Sequence, residues 1–130
     1  MKEDSHLKAF EEHRAAIDWS IDRGLENSQR IIGIHSSRGI IELLSAYLHK
    51  KEKIDIGFQI NHRWFKSEKV HEKFPEFPNK RTIFSKIIKL ENISEKLTYG
   101  SQKSEEETKK TIKLFNELEK TLKEMIRNEK

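Results

Sequence analysis

The sequence predicts an all-α protein, an antiparallel bundle of four to five helices running up and down. Three observations carry that expectation. Leu, Ile and Phe recur at three- and four-residue steps through four long segments, the period of helices with one buried face. Only five Gly and two Pro interrupt 130 residues, too few for the frequent turns of a β-sandwich. The stretch from Arg30 to Lys50, RIIGIHSSRGIIELLSAYLHK, is apolar around most of its circumference, as suits a helix surrounded by others.

The first helix is expected over about residues 4–23, stopped by Gly24. Its stripe is Leu7, Phe10, Arg14, Ile17 and Ile21, with Arg14 where an apolar residue belongs and Trp19 off the stripe, free to pack on a second neighbour. The second helix spans about residues 27–50 with Asn27 or Ser28 as cap. The short turn between the two makes an antiparallel hairpin. Gly33, Ser36, Ser37 and Gly39 lower the helix propensity of the second helix, but they let another backbone come close, inside the monomer or across a dimer.

Periodicity lapses from Lys51 to Pro78, except for a short helix expected over about residues 64–73. The run FPEFPN breaks the chain, because each Pro disfavours helix at the residue before it. Asn79 caps a third helix over about residues 80–97, with Ile83, Ile87, Leu90 and Leu97 on one side. After the turn TYGSQ, Ser104 and Glu107 match a capping box, and a fourth helix over about residues 105–127 carries Ile112, Phe115, Leu118, Leu122 and Met125. The residues from Arg127 to Lys130 are expected to fray. One domain accounts for residues 1–130.

Composition narrows the chemistry. With 34% apolar and 37% charged residues, the core is narrow and the surface dense with charge. The absence of Cys removes disulfides, thiolate catalysis and Cys-bound zinc. No signal pattern and no membrane-length apolar run is present, so the expectation is a cytoplasmic protein with no membrane partner. The net charge is +4 and the pI is about 9.2. Between Lys50 and Lys89, eleven Lys and Arg face five Asp and Glu, a basic middle that reads either as an anion-facing patch or as a solvated loop.

The second helix carries the first candidate site. His35, Arg38, Glu42, Ser45 and His49 follow steps of three and four residues, so they form one polar file, which reads either as a binding face or as the solvent-facing stripe of an amphipathic helix. Arg38 and Glu42 can pair across one turn, and His35 with Arg38 can address a phosphate, the Arg through its planar donors. Arg14 can reach Glu42 if the hairpin registers so. A second cluster, His62, Arg63, Trp64 and Phe65, combines cations with aromatic faces that either stack a base or plug the end of the bundle. The six His are scattered and give no metal site, and no cofactor fingerprint, phosphate loop or nucleophile elbow is present.

In order and landmarks the chain resembles the HEPN superfamily. The likeness rests on a helical hairpin ending in GIIELLSAYLHK, a loop His in NHRWF, a third helix closing with LTYG and a final helix opened by a Ser-x-x-Glu cap. The resemblance implies a homodimeric antiparallel bundle that binds nucleotide or RNA, or that accompanies a nucleotidyltransferase. Other members are metal-independent ribonucleases, and these carry Arg-x4–6-His near the start of the last long helical segment. Here that region reads LENISEKLTYG, without Arg or His, and the one match, Arg30 to His35, falls in the second helix. The resemblance therefore supplies no catalytic residue and favours binding-type members. A purely structural dimerisation module, with the small-residue stripe as its seam, remains an alternative.

Overall fold

The computed structural model describes residues 2–128. Four long helices dominate: α1 (Lys2–Arg23), α2 (Gln29–Lys50), α3 (Lys80–Tyr99) and α4 (Glu105–Arg127). A single 3₁₀ turn, Leu25–Asn27, joins α1 to α2, and two more, His62–Lys66 and Glu68–Lys73, lie in the long connection before α3. No strand is present among the described residues. None of their helices is long and apolar enough to cross a membrane.

Partner residues give the directions. Along the α1–α2 seam His6 meets Glu42 and His49, His13 meets His35, and Ser28 donates to the Ser20 carbonyl, so the two helices are antiparallel. Gln29 reaches the carbonyls of Leu97 and Ser101, which sets α3 antiparallel to α2. Lys50 donates to the Ile126 carbonyl while Gln29 accepts from the Lys103 amide, so α4 runs parallel to α2. The order is up, down, up, down, with α2 touching each of the other three helices.

Two glycines let α2 hold that position. A Cβ on Gly33 would lie 2.8 Å from Thr98 Oγ1, 2.9 Å from Leu97 Cβ and 2.9 Å from the Ser94 carbonyl oxygen. One on Gly39 would lie 3.1 Å from His13 Cβ and 3.2 Å from a Phe115 ring carbon. The small-residue stripe is thus filled inside the monomer. Ile32, Ile40, Leu43, Leu44 and Leu48 are fully buried around it, each worth about 1.5–3 kcal/mol relative to exposure.

The connection over residues 51–79 closes one end of the α2–α3 groove. The expected helix over residues 64–73 is instead the two 3₁₀ turns, separated by extended Ser67. Phe65, Phe74 and Phe84 pack edge-on or tilted at 5.0–5.7 Å, so Phe65 does plug the bundle. Phe74, ahead of Pro75, is extended at φ −126°, ψ 147°, as the following proline ring requires. Buried Lys80 donates to the carbonyls of His71 and Phe74 at 3.0 and 2.9 Å and to Glu76 at 3.2 Å. It supplies donors where no ladder exists.

Several local expectations change. Asn79 precedes α3 in the left-handed region (φ 65°, ψ 17°) and its side chain caps nothing. Ser104 and Glu107 make only the backbone turn and no side-chain capping box. Trp19 is 54% exposed, beneath the Arg23 guanidinium at 4.6 Å. Ile21 is exposed as well, and Ser20 takes the buried position in that turn. In α4, Thr108, Thr111 and Ile126 join Phe115, Leu118 and Leu122 inside, while Ile112 and Met125 are half-buried flanks. α4 is helical through Arg127, and of the residues expected to fray, Glu129 and Lys130 lie outside those described.

Gly33→Ala is expected to destabilise the fold by about 1–3 kcal/mol, because the backbone carbonyl of Ser94 cannot step aside. Gly57→Ala, with open space around its Cβ, is expected to change stability by less than about 0.5 kcal/mol. Urea unfolding of the two variants side by side checks both.

Candidate functional site: a cleft between α2 and the 3₁₀ turn

α2 presents Arg38 towards the 3₁₀ turn His62–Lys66, and two pockets open there. One, of about 300 Å³, is lined by Gly33, Ser37 and Arg38 of α2, by His62, Arg63 and Lys66, and by α3 residues including Glu91, Glu95 and Thr98. The second, of about 550 Å³, is lined by His13, Arg38, Ile41, Glu42, Ile60, His62, Arg63 and Trp64, among others. Arg38, His62 and Arg63 belong to both, so the two pockets adjoin along these side chains and together make up the cleft.

The two guanidinium groups set its character. Arg38 donates to the Ile34 carbonyl at 3.1 Å, a bond within its own helix. Among the described residues neither Arg38 nor Arg63 has a carboxylate within ion-pair distance. The nearby carboxylates are engaged elsewhere: Glu95 with Lys66 at 3.1 Å, Glu42 with His6 at 2.6 Å, and Glu91 with His62 at 2.9 Å. The first pocket therefore holds three cations against two carboxylates that are already bonded. An arginine left unpaired in a concave site is a ready donor for a bidentate anion.

His62 is held from behind. Its Nδ1–H donates to Glu91 Oε1, whose side chain is only 4% exposed. That bond selects the tautomer and leaves Nε2, which bonds to no described residue, as the nitrogen available to the cleft. Asn61 helps by accepting the Arg63 backbone N–H at 2.8 Å, which caps the 3₁₀ turn. Trp64 lies edge-on to Phe58 and Phe74 at 5.9 and 6.2 Å, with Lys73 over its ring at 5.0 Å. It both packs the connection and walls the second pocket.

The sequence-predicted residues separate clearly. Arg38, Glu42, His62, Arg63 and Trp64 converge on the cleft. His35 does not line it, but bonds to His13, which does. The expected Arg38–Glu42 pair does not form, because Glu42 turns to His6. Other members of the polar file lie inside the fold: Ser45 is buried, and His49 stacks on His6 of α1 with ring centroids 5.3 Å apart. Arg14 faces the opposite side. It bonds Asp18 at 2.7 Å, Glu119 at 3.0 Å and Asn116 at 2.7 Å, and lies over the Phe115 ring, so its partner is α4 and not Glu42. Burial opposes the Arg14 charge, but the Asp18 and Glu119 bonds outweigh it and raise the pKa.

Arg30 and His35, the one Arg-x4-His spacing, do not share a pocket either: Arg30 borders a depression with Glu26 and Gln102. The α3 residues of the cleft went unread in the sequence, although a signal existed. Glu91 stands four residues beyond Ile87 on the apolar side of α3, where a carboxylate needs a buried partner. Among the described residues no group of three or more His, Asp or Glu is placed to hold a metal.

Arg14→Ala is expected to lower stability by about 1–3 kcal/mol through loss of charged hydrogen bonds between α1 and α4, while leaving anion affinity at the cleft unchanged. Thermal unfolding and a binding titration on the same sample check the two halves. Comparison of the chain with models of protein families, with curated proteins and with solved structures finds no match in any of the three, so the chemistry of the cleft has to be read from its own residues.

Proposed function

We propose that the chain is a HEPN-like binding module of the cytoplasm whose cleft takes the phosphate of a nucleotide or of RNA. The observation that carries this reading is the pair Arg38 and Arg63, neither ion-paired, on the wall shared by two pockets. Each guanidinium bonded to a phosphate is worth about 1.5–3 kcal/mol net. Ile41, Ile60 and Trp64 give the second pocket an apolar side on which a base can lie beside its own phosphate. A homodimer or a nucleotidyltransferase partner, both implied by the resemblance, would dock away from Gly33 and Gly39, which neighbouring helices already cover.

Fluorescence anisotropy with a labelled single-stranded RNA and with a mononucleotide tests the reading. Arg38→Ala and Arg63→Ala are each expected to weaken binding about 10- to 100-fold and to reduce the salt dependence by about one phosphate contact. Absence of binding by the wild type at low salt sinks it.

The His62–Glu91 pair favours a second reading, a metal-independent ribonuclease. An imidazole oriented by a carboxylate can take the proton of a ribose 2′-hydroxyl as it attacks the adjacent phosphorus. Two guanidinium groups offset the charge that develops, and the 5′ oxygen leaves with a proton from water. RNA cleavage in excess chelator, lost in His62→Ala and kept in Arg30→Ala, is the expected outcome. Cleavage that survives His62→Ala excludes it.

A further inference from the structure

The α1–α2 seam contains a second set of titratable groups that phosphate binding does not use. His13 and His35, both half-buried, face each other with Nδ1 atoms 2.9 Å apart and ring centroids 5.1 Å apart. Elsewhere on the seam His6 donates to the Glu42 carboxylate. His13 and His35 have no carboxylate between them, and each bonds through Nδ1 only to the other.

A hydrogen bond between two nitrogens contains one proton. One ring donates Nδ1–H, and the other must keep its Nδ1 lone pair and so be neutral. The pair can hold one extra proton, on the donor ring, and remain bonded. A second proton turns two N–H groups against each other and places two like charges at contact.

We propose that the His13–His35 pair is a proton-responsive latch, fastening α1 to α2 while at least one ring is neutral and releasing the helix when both are protonated. The surroundings oppose the second proton. Arg38 of α2 acts on both rings, with no carboxylate of its own. Glu12 of α1 and Glu42 of α2 favour a charge on His13, but Glu42 is already bonded to His6. From the 3₁₀ turn, His62 and Arg63 line the pocket that His13 borders. From α4 the Phe115 ring approaches at Gly39, while the α4 charges Glu119 and Lys123 are engaged with Arg14 and Glu11.

Burial is the main cause that holds both imidazoles below the ordinary histidine value; Arg38 adds to it on both rings and His13 adds to it on His35, while Glu42 and Glu12 offset part of it on His13. The unfolded chain, whose histidines titrate at about 6.5, therefore takes up protons before the folded chain does. The latch's contribution to stability is complete above about pH 6.5 and is lost as the pH falls below it. For each proton by which the unfolded state leads, the unfolding equilibrium constant grows about tenfold per pH unit.

Urea unfolding from pH 8 to pH 5 tests the latch against His35→Asn and His13→Asn/His35→Asn. Asn keeps a donor and an acceptor near the Nδ1 position and does not titrate. The wild type is expected to lose stability below about pH 6.5, and the variants to lose up to about tenfold less per pH unit for each ring replaced. Parallel pH profiles for wild type and variants overturn the proposal. If a variant fails to fold, ring resonances of the intact wild type decide. Two separated steps below the free-histidine value support the latch, and titration of both rings at that value overturns it. Neither readout involves a ligand, so the outcome is independent of what the cleft binds.

Discussion

Everything in this fold depends on how closely α2 can be approached. Gly33 lets the α3 backbone come so near that a single methyl group would collide with Ser94, Leu97 and Thr98, and Gly39 admits His13 of α1 and Phe115 of α4 to within 3.1–3.2 Å of where a methyl group would stand. Removing those two side chains turns α2 from one helix of a ring into the axis of the bundle. The cleft follows from the same contact. Because α3 lies so tightly on Gly33, Glu91 and Glu95 come within reach of His62 and Lys66 on the 3₁₀ turn, and the space left between them is the first pocket.

A helix this crowded leaves its polar residues little water, so most of them are bonded by neighbours. Gln29 is tied to three backbone groups at the α3–α4 turn. On the α1 side, Glu42, His49 and His35 meet His6 and His13, and Arg14 is absorbed by α4. Arg38 and Arg63 stand out against that background. Arg38 is half-buried and Arg63 is exposed; a half-buried charge normally finds a partner because leaving it unpaired is costly, and where the pairing stops at Arg38, a ligand can complete it.

The segment over residues 51–79 shows order without regular periodicity. Its aromatic side chains form a cluster on Phe84, and the Lys80 ammonium gathers carbonyls that no helix satisfies. Together these hold the 3₁₀ turn, and with it His62 and Arg63, at a defined place opposite Arg38. The site is thus built from α2, α3 and one irregular segment whose rings are interlocked.

By itself the sequence determined the all-helical class, four long helices to within a few residues, the lapse of periodicity after Lys51 and the buried side of α3, because 3.6-residue periodicity and the Pro and Gly breaks are local properties. It also marked Arg38, Glu42, His62, Arg63 and Trp64 as chemically interesting. Only the tertiary structure decided which of these meet. Arg38 and Glu42 are ideally spaced on one helix, yet Glu42 turns to a histidine 36 positions away. Arg14 pairs with α4, 105 positions distant, and Glu91 enters the cleft from α3, where its place on the apolar side signalled a buried partner without saying which. Spacing along a helix says which side chains share a face. What lies opposite that face is set by the approach of other helices, and here two glycines set it.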